Sequence, residues 1–376
     1  MPEPVALASP LARVHARVGA TFTTFGGWRM PLRYAGHLAE HHAVRTAAGL
    51  FDLSHMGELV VDGLQAAAFL DYALVLDATG MEVGRARYTL ICDERGGVLD
   101  DLLVYRVAEQ EFLVVANASN VGLVHDALLA RLGGHEAGLR DASAEYALLA
   151  VQGPRAAAVL GPLAGVDLAG IRRYRCATST VAGRPALLGR TGYTGEDGFE
   201  LYLAPADAQV VWDAVLAAGA PHGLVPAGLA CRDTLRLEAG MALYGHELTP
   251  AVTPFQARLG WTVRLNKACG FVGRAALEAS AADPRGSVLV GLTGTGRRAA
   301  REGSRVLDPA SGEAVGTVTS GVLSPTLRHP IALAYVEPAY AAAGTDVDVD
   351  VRGSVSRYQV VEPPFYRPPT KPAETG

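Results

Sequence analysis

The chain has 376 residues, of which 49% are hydrophobic and 19% charged, and its formal net charge is −5. This balance is typical of a folded globular protein and excludes a disordered one, and the length predicts two or three domains. The acidic net charge argues against a nucleic-acid partner, because phosphate binding needs clustered Lys and Arg side chains.

The cysteine and hydropathy patterns indicate the cellular compartment of the protein. Four cysteines lie far apart without a C-x-x-C pair: Cys92, Cys176, Cys231 and Cys269. They suit neither a disulfide framework nor a zinc site, so we predict a cytoplasmic protein without a metal. The N-terminus lacks the features of a signal peptide. The longest uncharged run, residues 214–231, is interrupted by Pro and Gly, so we predict no membrane span.

The first half of the chain is predicted to mix helices with antiparallel strands. A helix at residues 11–18 precedes a second, "HLAEHHAVRTAAG", for which Gly49 is the expected C-cap. Residues 86–107 predict a β-hairpin whose turn holds Asp93 and two glycines. The strand "EFLVVANAS" and the helix "NVGLVHDALLARLG" follow.

The second half repeats the mixture and then changes character. The segment "YALLAVQGPRAAAVLGPL" predicts a strand and a helix, followed by a hairpin at residues 190–203 and two more helices. Ser280 to Ser287 is the clearest linker. Short strands broken by glycine follow, which predict a small β-barrel or sandwich, and residues 367–376 form a proline-rich tail. Together these elements predict an α+β fold with antiparallel sheets.

Two adjacent carboxylates, Asp100 and Asp101, stand in the second strand of the first hairpin. Neighbouring side chains of a strand point to opposite faces, and both faces of this strand are otherwise apolar. At least one Asp could therefore lie in surroundings of low dielectric and need a partner. The alternative is an Asp at a hairpin end, exposed to solvent.

The stretch "RTGYTGEDGFELYL" carries three glycines, Tyr193 and Glu200. Glycines would let the backbone approach a flat ligand, with Tyr193 supplying a ring and Glu200 accepting N–H donors. The alternative is a flexible hairpin with solvated acids. The glycine spacing matches neither a dinucleotide fingerprint nor a phosphate-binding loop.

Two further pairs of side chains are candidates on helices. Arg232 and Arg236, one turn apart, could clamp a carboxylate, or could be a surface pair satisfied by Asp233 and Glu238. His37 and His41 share a helix face, and without further ligands structural histidines are favoured over a metal site.

Six segments in chain order strongly resemble one enzyme family. They are "FGGWRMPLRYAGHLAEHHAVRTAAGLFDLSHM", "GGVLDDLLVYR", "VQGPRA", "GRTGYTGEDGFELY", "GLACRDTLRLEAGMALYGHEL" and "GTVTSGVLSPTLRHPIALAYV". The family is the aminomethyltransferase, or T protein, of the glycine cleavage system, and the resemblance covers residues 11–366.

The resemblance implies a cloverleaf-like arrangement of three domains with a central folate channel. The first folate-binding α+β domain is then discontinuous, residues 1–55 plus 140–280, and the second α+β domain is residues 56–139. A C-terminal β-barrel takes residues 287–366, and residues 367–376 are a flexible tail.

The resemblance also implies a reaction and its residues. A one-carbon unit moves from the aminomethyl-lipoyl arm of the lipoylated H protein to tetrahydrofolate, and ammonia is released. Asp101 matches the catalytic aspartate, which would orient the folate amine and stabilise the cationic carbon as the carbon–sulfur bond breaks. The matched folate-binding positions are Met56, Tyr88, Asn117, Tyr193, Glu200, Arg232 and Trp261.

Other classes remain as alternatives. A folate-dependent demethylase acting on a small methylated donor would have the same pocket and a different donor entrance. A non-catalytic relative that assists iron–sulfur cluster maintenance carries a cysteine motif that "RTGYTGED" lacks. A flavin-linked oxidoreductase would need a dinucleotide fingerprint, which is absent from the sequence.

Overall fold

The computed structural model describes residues 6–283 and 286–369. Eight α-helices, α1 to α8, occupy Ala12–Arg17, His37–Thr46, Ala66–Ala73, Val121–Leu132, Ala156–Leu160, Ala208–Gly219, Leu229–Glu238 and Arg274–Ala282 of these residues. Strands β1 to β14 occupy Leu7–Ala8, Thr21–Phe25, Trp28–Arg33, Ala48–Asp52, Gly57–Asp62, Ala86–Cys92, Val98–Ala108, Glu111–Ala116, Gly138–Asp141, Ala147–Gln152, Cys176–Val181, Arg184–Gly189, Gly198–Leu203 and Leu224–Pro226. Strands β15 to β20 occupy Val288–Gly294, Arg305–Leu307, Ala314–Leu323, Pro330–Val336, Asp346–Val351 and Ser354–Val361.

Parts of two predicted segments lie outside the described residues. They are residues 284–285 of the expected linker and residues 370–376 of the expected tail. Over the described part of the chain, no helix is long and apolar enough to cross a membrane.

A six-stranded sheet holds the first core, in the order β11-β12-β13-β10-β4-β14. Its neighbours are antiparallel except for the parallel pair of β14 and β4. Phe199, Leu201 and Leu203 of β13 face a core that includes Trp212 of α6, while Tyr202 faces the other way. The alternation predicted for this strand is confirmed. A small sheet, β1-β3-β2, precedes these strands.

A five-stranded antiparallel sheet, β6-β7-β8-β5-β9, holds the second core. The predicted hairpin is its β6–β7 pair, in which Leu90 is opposite Asp101. Leu102 and Val104 of β7 pack against α3 and α4, whereas Leu103 and Tyr105 face the first sheet. Since side chains alternate along a strand, Asp101 lies on the face that looks toward the first sheet.

A layer of side chains joins the two sheets and positions the site. It contains Tyr202 of β13, Leu148 of β10, and Tyr105 and Leu113 of the second sheet, with Leu235 of α7 among its other members. We call it the intersheet layer. Asp101 is on the same face of β7 as Tyr105, and Glu200 is on the same face of β13 as Tyr202. The two carboxylates therefore border the same layer.

The last strands close into a barrel, β15-β18-β17-β16-β19-β20. Val347, Val349 and Val351 face its core, and the aspartates between them face outward, which confirms the predicted small barrel. Leu237 at the end of α7 packs against Leu289 and its neighbours in the barrel. The fold is thus mixed α and β with antiparallel sheets and a closed C-terminal barrel, as the sequence predicts.

The predicted C-cap at Gly49 is wrong. Helix α2 ends at Thr46, and Gly49 lies inside β4. A Cβ at this position would lie 2.5 Å from a methyl carbon of Val44, the last apolar residue of the helix. Position 49 requires glycine because the strand passes close to the helix, and a C-cap role is not needed to explain the residue.

Candidate active site

Asp100 and Asp101 share one amide partner. The Asn117 side chain donates to Oδ1 of Asp100 at 2.8 Å and to Oδ1 of Asp101 at 2.7 Å. Asp100 also accepts from the Asn117 backbone N–H and from the side chain of Asn120. Its side chain is fully buried, so the expectation of a solvated Asp at a hairpin end is wrong for Asp100. Hydrogen bonds from three protein donors, rather than from water, satisfy this buried carboxylate.

The two oxygens of the Asp101 carboxylate accept hydrogen bonds from two different side chains. Oδ1 accepts from Asn117, and Oδ2 accepts from the Tyr88 hydroxyl at 3.0 Å. Tyr88 comes from β6, so the hairpin register itself sets this contact. The ring of Tyr88 stacks against Trp261, with ring centroids 6.1 Å apart. Trp261 is 61% exposed, and it therefore marks the way from Asp101 to the surface.

Burial raises the pKa of both carboxyl groups. Desolvation, followed by the charge of Asp101, raises the pKa of Asp100 to about 7. Desolvation also raises the pKa of Asp101, against the hydrogen bonds from Tyr88 and Asn117 and the positive charge of Arg232. Two carboxyls this close to each other are not both easily ionised. A carboxyl whose pKa is raised by burial is a better proton acceptor than an ordinary aspartate.

Arg232 and Tyr193 approach the same carboxylate from the first sheet. The guanidinium carbon of Arg232 lies 4.4 Å from the centre of the Tyr193 ring. Among the described residues the Arg232 side chain has no hydrogen bond or ion pair, although its charge acts on Asp101. The Tyr193 hydroxyl donates to the Ala242 carbonyl, which fixes the ring. A half-buried cation without an anion is placed to receive one from a ligand.

His55 is a buried neighbour that the sequence analysis did not select. Its Nδ1 atom has no hydrogen-bond partner in the described structure. Burial and then the charge of Arg232 lower the pKa of His55 to about 4. The imidazole is therefore neutral at pH 7, and it does not add a second positive charge beside Arg232.

Glu200 is tied into the intersheet layer. Its Oε2 accepts from the Thr191 hydroxyl at 2.5 Å and from the Tyr105 hydroxyl at 3.2 Å. The same two hydroxyls bond each other at 2.7 Å. Glu200 is buried, so the alternative of a solvated acid is wrong at this position. Thr191 and Tyr105 were not selected from the sequence, although Tyr105 shares its strand face with Asp101.

The glycines of the loop before β13, and Gly198 at the start of that strand, pack closely on the protein itself. A Cβ at Gly192 would lie 1.9 Å from Oε1 of Gln152, and one at Gly198 would lie 2.4 Å from Nε2 of the same residue. Gly195 has φ +82, and its Cβ would lie 2.9 Å from that of Ala239. These contacts explain the glycine spacing through packing of the loop on β10 and the end of α7.

The second arginine of α7 has a different role from the first. Arg236 is 2% exposed and donates to Asp233, Glu247 and Ser320, the last of these in the barrel. The alternative of a two-headed clamp is therefore wrong, because Arg236 is already bound by protein groups. The other alternative was a surface pair satisfied by Asp233 and Glu238. Its contact between Arg236 and Asp233 is confirmed, but Arg236 is buried and Glu238 is bound by Arg45.

The remaining candidates have structural contacts. Met56 is half-buried and packs against the intersheet layer. His41 bonds Thr234 through Nδ1 and Thr326 through Nε2, which confirms the structural reading of this histidine. Residues 6–283 and 286–369 contain no group of three or more His, Cys, Asp or Glu side chains that could hold a metal ion.

A cavity of about 300 Å³ opens beside the Tyr88–Trp261 stack. Its wall includes both of these rings and Tyr174, and it extends toward Arg85, Arg87 and Arg264. Of the predicted site residues, Tyr88 and Trp261 lie in this wall. Asp101 is linked to Tyr88 and Asn117 by hydrogen bonds, Arg232 contacts the Tyr193 ring, and Glu200 lies at the border of the adjoining layer. For Met56 the structure shows only its packing against the intersheet layer.

The comparisons with known proteins agree over nearly the whole chain. The GCVT N-terminal domain model matches residues 11–267, and the glycine cleavage T-protein C-terminal barrel domain model matches residues 288–367. An aminomethyltransferase of Saccharopolyspora erythraea is 58% identical over 359 residues, 96% of this chain and 98% of that protein. The Streptomyces avermitilis aminomethyltransferase is 57% identical, over 95% and 96% of the two chains.

A solved structure gives the same result for the fold. The glycine cleavage system aminomethyltransferase T from Bartonella henselae superposes with a TM-score of 0.90 at 38% identity. The superposition covers 96% of this chain and 98% of that one.

Proposed function

The chain belongs to the glycine cleavage T-protein family, and from this premise we propose that the site around Asp101 binds tetrahydrofolate as the acceptor of a one-carbon unit. The enzyme is an aminomethyltransferase, and the agreement with such enzymes over the whole chain favours this activity over demethylation of a small donor. The donor we propose is the aminomethyl-lipoyl arm of the H protein.

One observation supports the proposal above the others. Asp101, a carboxylate with a pKa raised by burial, accepts from Tyr88, whose ring stacks on Trp261, and it lies within the electrostatic reach of Arg232, which has no anionic partner among the described residues. Aromatic rings bind a flat heterocycle, a carboxylate binds its N–H groups, and an arginine binds a carboxylate of the ligand. The polar groups present therefore fit a reduced folate.

Each side chain has a proposed task in this site. Asp101, held by Tyr88 and Asn117, orients the amine that attacks and takes or returns its proton. Its negative charge also stabilises positive charge that develops on the transferred carbon. When bound, tetrahydrofolate supplies the nucleophilic nitrogen. Arg232 meets an anionic group of the ligand, and Tyr193, Glu200, Met56 and Trp261 line or border the pocket.

The division of the chain is also kept as a proposal. We assign residues 1–55 and 140–280 to a first domain, 56–139 to a second and 287–366 to the barrel. A cytoplasmic location remains a prediction from the cysteine pattern. In the described residues the four thiols are unpaired, which supports it.

Ammonia release from aminomethylated H protein tests the proposed function. We expect release to accelerate strongly when tetrahydrofolate is added and to yield methylene-tetrahydrofolate in equal amount. A free methylated amine, offered at the same concentration without H protein, is the control donor. Acceleration only with the free amine would contradict the proposal and select the demethylase.

A further inference from the structure

Lys267 is a buried lysine in a stretch of chain whose other side chains are largely exposed. It lies between α7 and α8, in residues 259–272, which we call the tryptophan segment because they include Trp261. Asn266 and Ala268, on either side of Lys267, are exposed to solvent. Lysine is rarely buried, because its charged group then loses its water, so its burial here needs an explanation.

The ammonium of Lys267 is bound by backbone carbonyls at residues 71–76, the last residues of α3 and the bend after it, which we call the α3 end. Nζ donates to the carbonyl of Asp71 and, at 2.7 Å each, to those of Leu74 and Leu76. All three N–H donors of the ammonium are thereby used. A positive charge is also favoured beside the carbonyls at a helix C-terminus. These carbonyls replace the water that the buried ammonium has lost.

The surroundings of the ammonium keep it charged at pH 7. Its Nζ lies 4.4 Å from the centre of the Phe271 ring, which belongs to the same segment. Burial lowers the pKa of Lys267 to about 8, and the negative charge of Asp71 opposes this shift. The three hydrogen bonds to the α3 end are therefore made by a cation, which strengthens them relative to those of a neutral donor.

Two backbone hydrogen bonds dock the tryptophan segment on the same α3 end. The N–H of Arg264 donates to the Val75 carbonyl at 2.9 Å. The N–H of Val272 donates to the Tyr72 carbonyl at 3.1 Å. Lys267 lies between these two points in the chain and adds a third attachment, made by a side chain.

The α3 end is also tied to the strand that carries Tyr88. The N–H of Val75 donates to the Leu90 carbonyl of β6 at 3.3 Å. Tyr88 lies two residues before Leu90 on that strand, and its ring stacks on Trp261. Both rings of the stack are therefore attached to one element, Trp261 through the tryptophan segment and Tyr88 through β6.

Trp261 depends on this attachment because its own ring makes little contact. It is 61% exposed, and its ring centroid is 6.1 Å from that of Tyr88. We propose that Lys267 is a positioning residue for Trp261, and that its ammonium holds the tryptophan segment where the ring stacks on Tyr88. The inference rests on the proposed function, in which Trp261 lines or borders the folate pocket. It adds that the affinity for tetrahydrofolate depends on a lysine that acts through this ring.

A cycle of variants at Lys267 and Trp261 tests the proposal. The dissociation constant of tetrahydrofolate and kcat are measured for the wild type, Lys267→Met, Trp261→Ala and the double variant. We expect each single variant to bind about three- to tenfold more weakly, the size of one stacked aromatic contact. The value of kcat should stay within about twofold of wild type, because the hydrogen bonds of Asp101 remain. The double variant should bind no more weakly than Trp261→Ala, because Lys267 acts through the ring.

Arg131→Met is the matched control. Arg131 of α4 also donates to a carbonyl of α3, that of Ala73 at 2.7 Å, and to the carbonyl of Cys92, but it does not belong to the tryptophan segment. We expect this variant to lose thermal stability and to keep the wild-type affinity. Thermal unfolding checks that every variant is folded. Lys267→Gln, which keeps an N–H donor, is measured in the same cycle in case Lys267→Met does not fold, and its smaller loss of affinity should likewise disappear in the Trp261→Ala background.

The outcomes separate this inference from the proposed function. Wild-type affinity in the folded Lys267 variants, or an equal loss with and without Trp261, would overturn the positioning role and leave the proposed function intact. An equal loss in Arg131→Met would also overturn it, and would assign the effect to lower stability around α3. Failure of the wild-type enzyme to bind tetrahydrofolate would overturn the proposed function and the positioning role together.

Discussion

At the residue scale, the site depends on where burial places two adjacent carboxyl groups. Asp100 faces the core of the second sheet and is satisfied by Asn117 and Asn120, whereas Asp101 faces the intersheet layer and bonds Tyr88. The same strand alternation that separates Leu102 from Leu103 separates the two acids. One carboxylate is consequently structural, and the other is available to a ligand.

We expect kcat/KM to fall as the pH is lowered through the pKa of Asp101, which burial raises above the usual range of an aspartate. A carboxyl whose pKa is raised in the folded state takes up its proton at a higher pH than usual, so the ionised form that catalysis needs is lost early. Below that pH the loss should approach about tenfold per pH unit. The measurement is the folate-dependent rate at constant ionic strength, with the donor saturation checked at each pH.

A second variant identifies which group causes the pH dependence. Asp101→Asn has no ionisable group at the position, so its residual rate should lose this dependence. A wild-type profile with its midpoint at or below about pH 4, the ordinary range of an aspartate, would show that Asp101 lacks the raised pKa that the buried geometry gives.

The roles of single residues were only partly predictable. The alternation of side chains along β7 predicts that Asp100 and Asp101 point to opposite faces of the sheet. The sequence does not show which of these faces is covered by the other sheet. Arg232 and Arg236 look equivalent along the chain, and only the position of Glu247 and Ser320 shows that Arg236 is already bound. His55 gave no signal at all, since its burial depends on tertiary packing.

At the scale of elements, the β6–β7 hairpin is the part of the fold that builds the site. It carries Tyr88 and Asp101 on facing strands, and its turn is docked against a later segment, with Val98 donating to the Val252 carbonyl at 3.0 Å. Leu90 and Cys92 pack with residues of that segment, among them Val263. The same segment carries Trp261, so docking the turn also places the ring that stacks on Tyr88.

Gly97→Ala tests this docking. An added Cβ would lie 2.0 Å from the backbone oxygen of Pro250, so the two segments must move apart. We expect a loss of about 1–3 kcal/mol in the free energy of unfolding, measured by urea denaturation. Gly134→Ala is the control, because its Cβ would meet no atom within 4 Å. Equal stability of the two variants would contradict the close approach.

Most elements were predictable from local patterns, and the exceptions share a cause. The hairpins, the amphipathic helices and the glycine-punctuated barrel strands carry period-2 or period-3.6 signals in a single stretch. The misplaced end of α2 at Gly49, and the packing of residues after α7 on the second sheet, depend on contacts between distant segments. Such contacts leave no periodicity in one sequence.

At the scale of the whole molecule, Glu238 joins the first sheet's helices to the barrel. Its Oε2 is bound by Arg45 and lies 3.2 Å from Nε2 of His41, and its Oε1 accepts from Ser324 and from the backbone N–H of Thr326. Hydrogen bonds and the charges of His41 and Arg45 hold the pKa of Glu238 at about 2. The carboxylate is fully buried, so all of its charge is balanced by protein groups.

Glu238→Ala should destabilise the fold by about 3–5 kcal/mol at pH 7, because it leaves Arg45 buried with one fewer anion. The depressed pKa means that this contribution is present above the unfolded pKa, about 4.3, and is lost as the pH falls toward 2. Urea denaturation at pH 7 and pH 3 is the measurement. Glu313→Ala, at an exposed position of the barrel, is the control, and equal stability of both variants would refute the joining role.

We propose that Asp101 acts in the transfer itself. The most direct test is the turnover of Asp101→Asn, measured beside its affinity for tetrahydrofolate. We predict a fall in kcat of about 100-fold or more, with a dissociation constant for tetrahydrofolate within about threefold of wild type. Asp213→Asn, on the exposed side of α6, should match the wild type in both quantities. Wild-type turnover in Asp101→Asn would contradict the account.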